Sequence, residues 1–128
     1  MEEKDREVWV EGSRFYLGKD DILYATIVGE IDNKLALEFK DATLKFNRIR
    51  KSDGRMNILV DNDRSGKISS NARKVIKELC ESRKTGKVAI YGMNPVARVI
   101  ASFLMGVTRK KDMRFFETRE KALAWIKE

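Results

Sequence analysis

From Ile22 to the last residue, short apolar runs alternate with longer amphipathic ones, and this alternation narrows the fold more than any other feature. Ile22-Leu23-Tyr24-Ala25-Thr26-Ile27-Val28 is rich in β-branched and aromatic residues and predicts a strand. Gly29-Glu30-Ile31-Asp32 ends it, and Asp32 is placed to cap a helix in which Leu35, Phe39, Ala42 and Phe46 share one face. Ser52-Asp53-Gly54 breaks that helix. Met56-Asn57-Ile58-Leu59-Val60 then predicts a short strand of the kind buried on both faces of a parallel sheet. Beyond a polar stretch, Ser69 or Ser70 caps a second helix that turns Ala72, Val75, Ile76 and Leu79 inward. Gly86 stops it, and Val88-Ala89-Ile90-Tyr91 is the next strand. Asn94-Pro95 opens a third helix to about Met105. The tail closes the pattern, with Phe115-Phe116 as strand, Thr118 as cap, and Ala122, Leu123, Trp125 and Ile126 as the apolar face of a fourth helix.

Before this alternation, Val8-Trp9-Val10 and Phe15-Tyr16-Leu17 flank a turn at Glu11-Gly12-Ser13-Arg14, and Asp20-Asp21 suits a second turn. The expected fold is therefore α/β, a mixed and mostly parallel sheet with an N-terminal hairpin and four helices, joined by right-handed crossovers. Residues 1–13 are expected to form an N-terminal extension or edge strand, and residues 14–128 the domain.

Composition removes whole classes of chemistry. The 128 residues include no histidine, which excludes Ser-His-Asp and Cys-His nucleophilic sites, histidine bases and histidine-ligated metals. Cys80 is the single cysteine, so no intrachain disulfide can form. Apolar residues make up 42%, enough for a packed core. No apolar run approaches the roughly 20 residues that span a bilayer. The charged start, Met1 to Glu7, has no apolar stretch behind it, so no signal peptide and a cytoplasmic location are expected. The net charge of +7 is unevenly placed: residues 1–33 carry nine acids and four bases, residues 34–128 carry 11 acids and 23 bases. These bases are spread over several helices without a base-reading motif, as on a solvated surface, so no specific nucleic-acid partner is expected.

Functional groups of a parallel α/β sheet collect at the carboxyl ends of its strands. The richest such end is Asp61-Asn62-Asp63-Arg64-Ser65-Gly66, expected as an exposed loop that docks a partner. It does not make an EF-hand, because the position of the bidentate glutamate is Ala72 and the entering segment reads as a strand. In a phosphatase of the haloacid dehalogenase type, Asp61 would attack phosphorus and Asp63 would serve as acid and base. Tyr91-Gly92-Met93-Asn94, however, supplies none of the acids that would hold magnesium. Local hydrogen bonding by Asp61 and Asp63 is the favoured reading, and no catalytic residue, metal or cofactor is expected. Ser69 and Ser70 read first as caps. A phosphate on either would meet free backbone N–H groups and the positive end of a helix dipole. In the helix after Pro95, Val96, Val99, Ile100, Phe103 and Leu104 contribute to a surface apolar nearly all round. Two readings stand for it: a deeply packed core helix, or a face for a homodimer or for a lipid or acyl ligand.

Three pieces together resemble a known family. A strand enters Gly29-Glu30-Ile31-Asp32, and an apolar strand ending at Asp61 leads to a serine-capped helix. Val88-Ala89-Ile90-Tyr91-Gly92 and the run from Phe115 to Ile126 complete a pattern that resembles the STAS domain superfamily in its SpoIIAA-like branch, over about residues 14–128. The resemblance implies a non-enzymatic regulatory module. Anti-sigma-factor antagonists of this kind bind an anti-sigma kinase and are switched by phosphorylation of a serine in an Asp-Ser-Ser-Gly loop. Counted from Asp61, that position falls on Ser70, within Ser69-Ser70-Asn71-Ala72, where the preceding aspartate and following glycine of the motif are absent. The branch also resembles CRAL-TRIO-type lipid carriers in arrangement, which implies a ligand role for the helix after Pro95.

Overall fold

The computed structural model describes residues 3–51, 54–92 and 112–128. Its strands are β1 (Glu7–Val10), β2 (Ser13–Leu17), β3 (Leu23–Ile31), β4 (Met56–Ile68), β5 (Thr85–Tyr91) and β6 (Met113–Phe116). Its helices are α1 (Asn33–Ile49), α2 (Ser70–Glu81) and α3 (Arg119–Ile126). The strands form one sheet in chain order, β1-β2-β3-β4-β5-β6. β1, β2 and β3 pair antiparallel, and β3 to β6 pair parallel. This is the mixed, mostly parallel α/β sheet that the alternation predicts. The third expected helix, Pro95 to Met105, lies outside the described residues.

Each described helix starts on the capping residue its sequence offers. Asp32 accepts from the Leu35 N–H at 2.8 Å, Ser69 from Ala72 at 3.1 Å and Thr118 from Lys121 at 3.2 Å. These side chains satisfy N–H groups that have no partner inside the helix. Period-two alternation then sorts the strand residues onto two faces. One face carries Phe15, Leu17, Leu23, Ala25, Ile27, Ile58, Val60, Val88 and Ile90 against α1 and α2. Within it Phe15 and Phe39 meet with ring centroids 4.8 Å apart. The other face carries Ile22, Leu59 and Ala89 against Ala122, Trp125 and Ile126 of α3. Val75 and Ile76, expected as core residues of α2, are only half-buried, whereas Cys80 is buried.

The largest departure from expectation is at β4. The polar stretch Asp61 to Gly66, expected as a loop, continues the strand to Ile68 alongside β3. Two bulges make this possible. Thr26 pairs with Asp61 and Val28 with Arg64; Gly29 pairs with Ser65 and Ile31 with Ile68. At each place β4 contains one residue more than β3, as a bulge requires. Inward positions therefore run Ile58, Val60, Asn62, Ser65 and Ile68, their spacing opening from two to three, and all are buried. The polar residues supply the hydrogen bonds a bulge leaves unmade: Asp61 Oδ1 accepts from the Asp63 N–H at 3.0 Å, and Ser65 Oγ donates to the Asn62 carbonyl at 2.9 Å.

Gly92 closes β5 with φ +130°, and a Cβ there would lie 2.6 Å from the Asp63 nitrogen. Gly92→Ala is expected to cost more than about 2 kcal/mol in urea unfolding, from strain and backbone collision together. Phe46 is fully buried between α1 and the sheet. Phe46→Ala is expected to cost about 3–5 kcal/mol in the same measurement.

Candidate functional site

Among the described residues the second face of the sheet is only partly covered, and strand register decides which side chains meet there. Trp9, Arg14, Thr26, Asp61, Tyr91 and Phe116 are successive partners across all six strands. Two residues along, Glu7, Tyr16, Tyr24, Leu59, Ala89 and Arg114 form a parallel row. Helix α3 covers the β4 to β6 side of this face, where Phe116 and Trp125 have centroids 5.6 Å apart. The other side holds an open groove of about 500 Å³. Its walls are the turn from Gly18 to Asp20 and Arg119 at the start of α3, and its floor includes Ala25, Thr26 and Leu59. All three tyrosines of the chain, Tyr16, Tyr24 and Tyr91, line it.

The acids of the groove have internal donors. Asp20 accepts from the Tyr24 hydroxyl at 2.6 Å and from the Ile22 N–H at 3.2 Å. Asp61, already holding the Asp63 N–H, also interacts with the Tyr91 hydroxyl, as does Arg119. The bases are differently placed. The Arg14 guanidinium lies 4.7 Å from the centre of the Tyr16 ring and reaches Glu7 at 2.5 Å. Its Nε is buried without a hydrogen-bond partner among the described residues. The Arg119 guanidinium lies 5.6 Å from the centre of the Tyr24 ring. Among the described residues no carboxylate lies within ion-pair distance of Arg119 or of Lys19.

These surroundings move two hydroxyls. Burial first, and the Asp20 carboxylate second, push Tyr24 well above the ordinary tyrosine value of 10.0. Tyr91 is raised by burial and by the charge of Asp61, partly offset by Arg119.

The residues singled out from sequence fall elsewhere or divide between regions. Of the Asp61 to Gly66 stretch, Asp63 and Arg64 are exposed, Asp61 and Gly66 are half-buried, and Asn62 and Ser65 are buried. A partner therefore cannot read this stretch as the expected exposed loop. Ser69 is the cap of α2, and Ser70 is its exposed first residue. Val96, Val99, Ile100, Phe103 and Leu104 lie outside the described residues. Among the described residues, no group of three or more acids or cysteines is placed to hold a metal ion, and no helix is long and apolar enough to cross a membrane. The groove itself was not visible in the sequence. Its one signal is the alternation Arg14-Phe15-Tyr16-Leu17 beside Tyr24-Ala25-Thr26-Ile27, which sets both tyrosines on the face away from the main core.

Among the described residues, a mixed sheet with a leading hairpin, two helices on one face and a terminal helix on the other makes a SpoIIAA-like fold. Solved structures bear this out. One is an uncharacterized protein of the DUF3478 family from Shewanella loihica PV-4 with a SpoIIAA-like fold. It matches with a TM-score of 0.60 and 17% identity over 93% of this chain and 89% of that one. Another is the anti-sigma factor antagonist SpoIIAA in its unphosphorylated form, at a TM-score of 0.60 and 14% identity over 91% and 98%. By sequence, the chain belongs to the family described as a domain of unknown function, DUF7793, which it matches over residues 15–128. A comparison with curated proteins gives no match.

The raised tyrosines make a pH prediction. The folded protein holds these hydroxyls neutral, while the unfolded chain releases the same protons near 10.0. Their contribution to stability is full below that pH and is lost as pH rises through the folded values. Phenolate absorbance is expected to show Tyr24 and Tyr91 titrating above the ordinary range. Asp20→Asn should bring one of them down, and unfolding midpoints should fall as pH rises above about 10.

Proposed function

We propose that the chain is a non-enzymatic regulatory module that docks a protein partner, of the anti-sigma kinase kind, in the cytoplasm. The observation that carries this reading is the outer half of β4. Beyond Asp61 the strand is paired with β3 alone among the described residues, and it delivers the chain directly to Ser69 and Ser70. A strand paired on one side only offers N–H and C=O groups to an incoming segment. Exposed Asp63, Arg64 and Lys67 give that edge a polar rim. The Ser69 hydroxyl is committed to its cap, so Ser70 is the hydroxyl a kinase would reach. A phosphate there adds up to about two negative charges at the positive end of α2, enough to change which partner the edge accepts. The structural relative described as an anti-sigma factor antagonist supports the regulatory class. The bonding of Asp61 to Asp63 and Tyr91 supports a structural role for that carboxylate over a nucleophilic one.

The test uses an anti-sigma-type kinase from the same cell. Phosphate is expected to enter at Ser70 and to vanish in Ser70→Ala, and kinase binding should weaken about tenfold or more in both Ser70→Asp and Arg64→Glu. Label that survives in Ser70→Ala, or binding indifferent to both charge changes, would defeat this assignment. Magnesium-dependent turnover of a phosphate ester, abolished by Asp61→Asn, would instead establish an enzyme.

A further inference from the structure

The groove on the second face is a built site that the docking reading does not use. We infer that it binds a small planar anion, a carboxylate or phosphate carried on an aromatic ring. Three observations converge on that class. First, the volume of about 500 Å³ lies in the range of pockets that hold small organic molecules. Second, three cations, Arg14, Lys19 and Arg119, line the groove with two acids, Asp20 and Asp61, and two of those cations are not paired to an acid among the described residues. Asp20 and Asp61 are held by tyrosine hydroxyls and backbone N–H groups, while Lys19 and Arg119 have no acid within ion-pair distance among the described residues. An anion entering the groove therefore finds two cations, Lys19 and Arg119, that no acid among the described residues already pairs.

Third, the cations are presented in a particular way. Arg119 stands over Tyr24 and Arg14 over Tyr16, with the two rings 6.4 Å apart in directly paired positions of β2 and β3. A guanidinium backed by a ring is planar, weakly hydrated and held in place, so little side-chain freedom remains to be lost on binding. Such a surface accepts a flat ring by stacking and its charged substituent by paired N–H donors. A tetrahedral ion alone would use the charge and leave the rings idle. An aliphatic acid would use the charge and fit the flat surfaces poorly.

The experiment is a titration of isotope-labelled full-length protein, followed by amide shifts and calorimetry, with five probes. Benzoate, indole-3-carboxylate and phenyl phosphate carry an anion on a planar ring; cyclohexanecarboxylate and inorganic phosphate do not. At least one planar probe is expected to bind with a dissociation constant below about 1 mM, with shifts centred on Arg14, Tyr24 and Arg119. Cyclohexanecarboxylate and inorganic phosphate should bind at least about tenfold more weakly. Arg119→Gln, at an exposed position where Thr118 supplies the cap of α3, should weaken the planar probe by about tenfold or more. Lys74→Gln, exposed on α2, should leave it unchanged. A preference for phenyl phosphate over both carboxylates would assign the ligand to the phosphate source, and the reverse to the carboxylate source. Equal binding of benzoate and cyclohexanecarboxylate, equal binding of inorganic phosphate, indifference to Arg119→Gln, or no binding of any planar probe would each overturn the proposal. None of these outcomes bears on phosphate entry at Ser70, so the two proposals fail separately.

Discussion

Strand β4 is paired with β3 along nearly its whole length and with β5 along its first half, and it is packed on both faces. Removing it from the sheet would separate the antiparallel hairpin from the strands that follow. It would also take Ile58, Val60 and Ile68 from one core and Leu59 from the other. Parallel pairing needs both neighbours to be held by crossovers that pack back on the sheet. Here α1 and α2 supply that packing, and α3 seals part of the reverse side. The same strand carries the groups on which both functional proposals draw. Asp61 faces the groove, and the bulged half beyond it leads to the start of α2.

The helices and most of the sheet were legible because their signals are local. Asp32, Ser69 and Thr118 cap the helices they precede in sequence, and Leu35, Phe39, Ala42 and Phe46 share a face through simple periodicity. The outer half of β4 was not legible for a physical reason. Asp, Asn, Ser and Gly favour turns because their side chains bond nearby backbone, and a bulge uses the same bonds without reversing the chain. The inward spacing of three between Asn62, Ser65 and Ile68 also hides the strand from a search for period two.

The groove was hidden for another reason. Tyr16, Tyr24, Tyr91 and Arg119 come from four different elements, and only strand register brings them together. Register depends on pairings between distant segments, which no single stretch of sequence encodes. The division of labour that results is simple. The face toward α1 and α2 is almost wholly apolar and holds the fold, while the reverse face keeps its charged and aromatic groups accessible beside a smaller apolar patch.

The bulges have a consequence for how relatives of this chain are to be aligned. In a regular strand, gaining or losing one residue turns every later side chain to the opposite face. At a bulge the additional residue stands outside the ladder, so its loss would restore regular pairing and leave Val60, Asn62, Ser65 and Ile68 pointing inward in the same order. Family members can therefore differ in length by single residues between Asp61 and Ser69 and still bring a serine to the same helix start. The landmark that travels between them is the place on the ladder, fixed here by the bond from the Ser69 N–H to the Ile31 carbonyl at 3.0 Å. Equivalent serines are to be found by that bond, and a count of residues from the aspartate will misplace them wherever a bulge has been gained or lost.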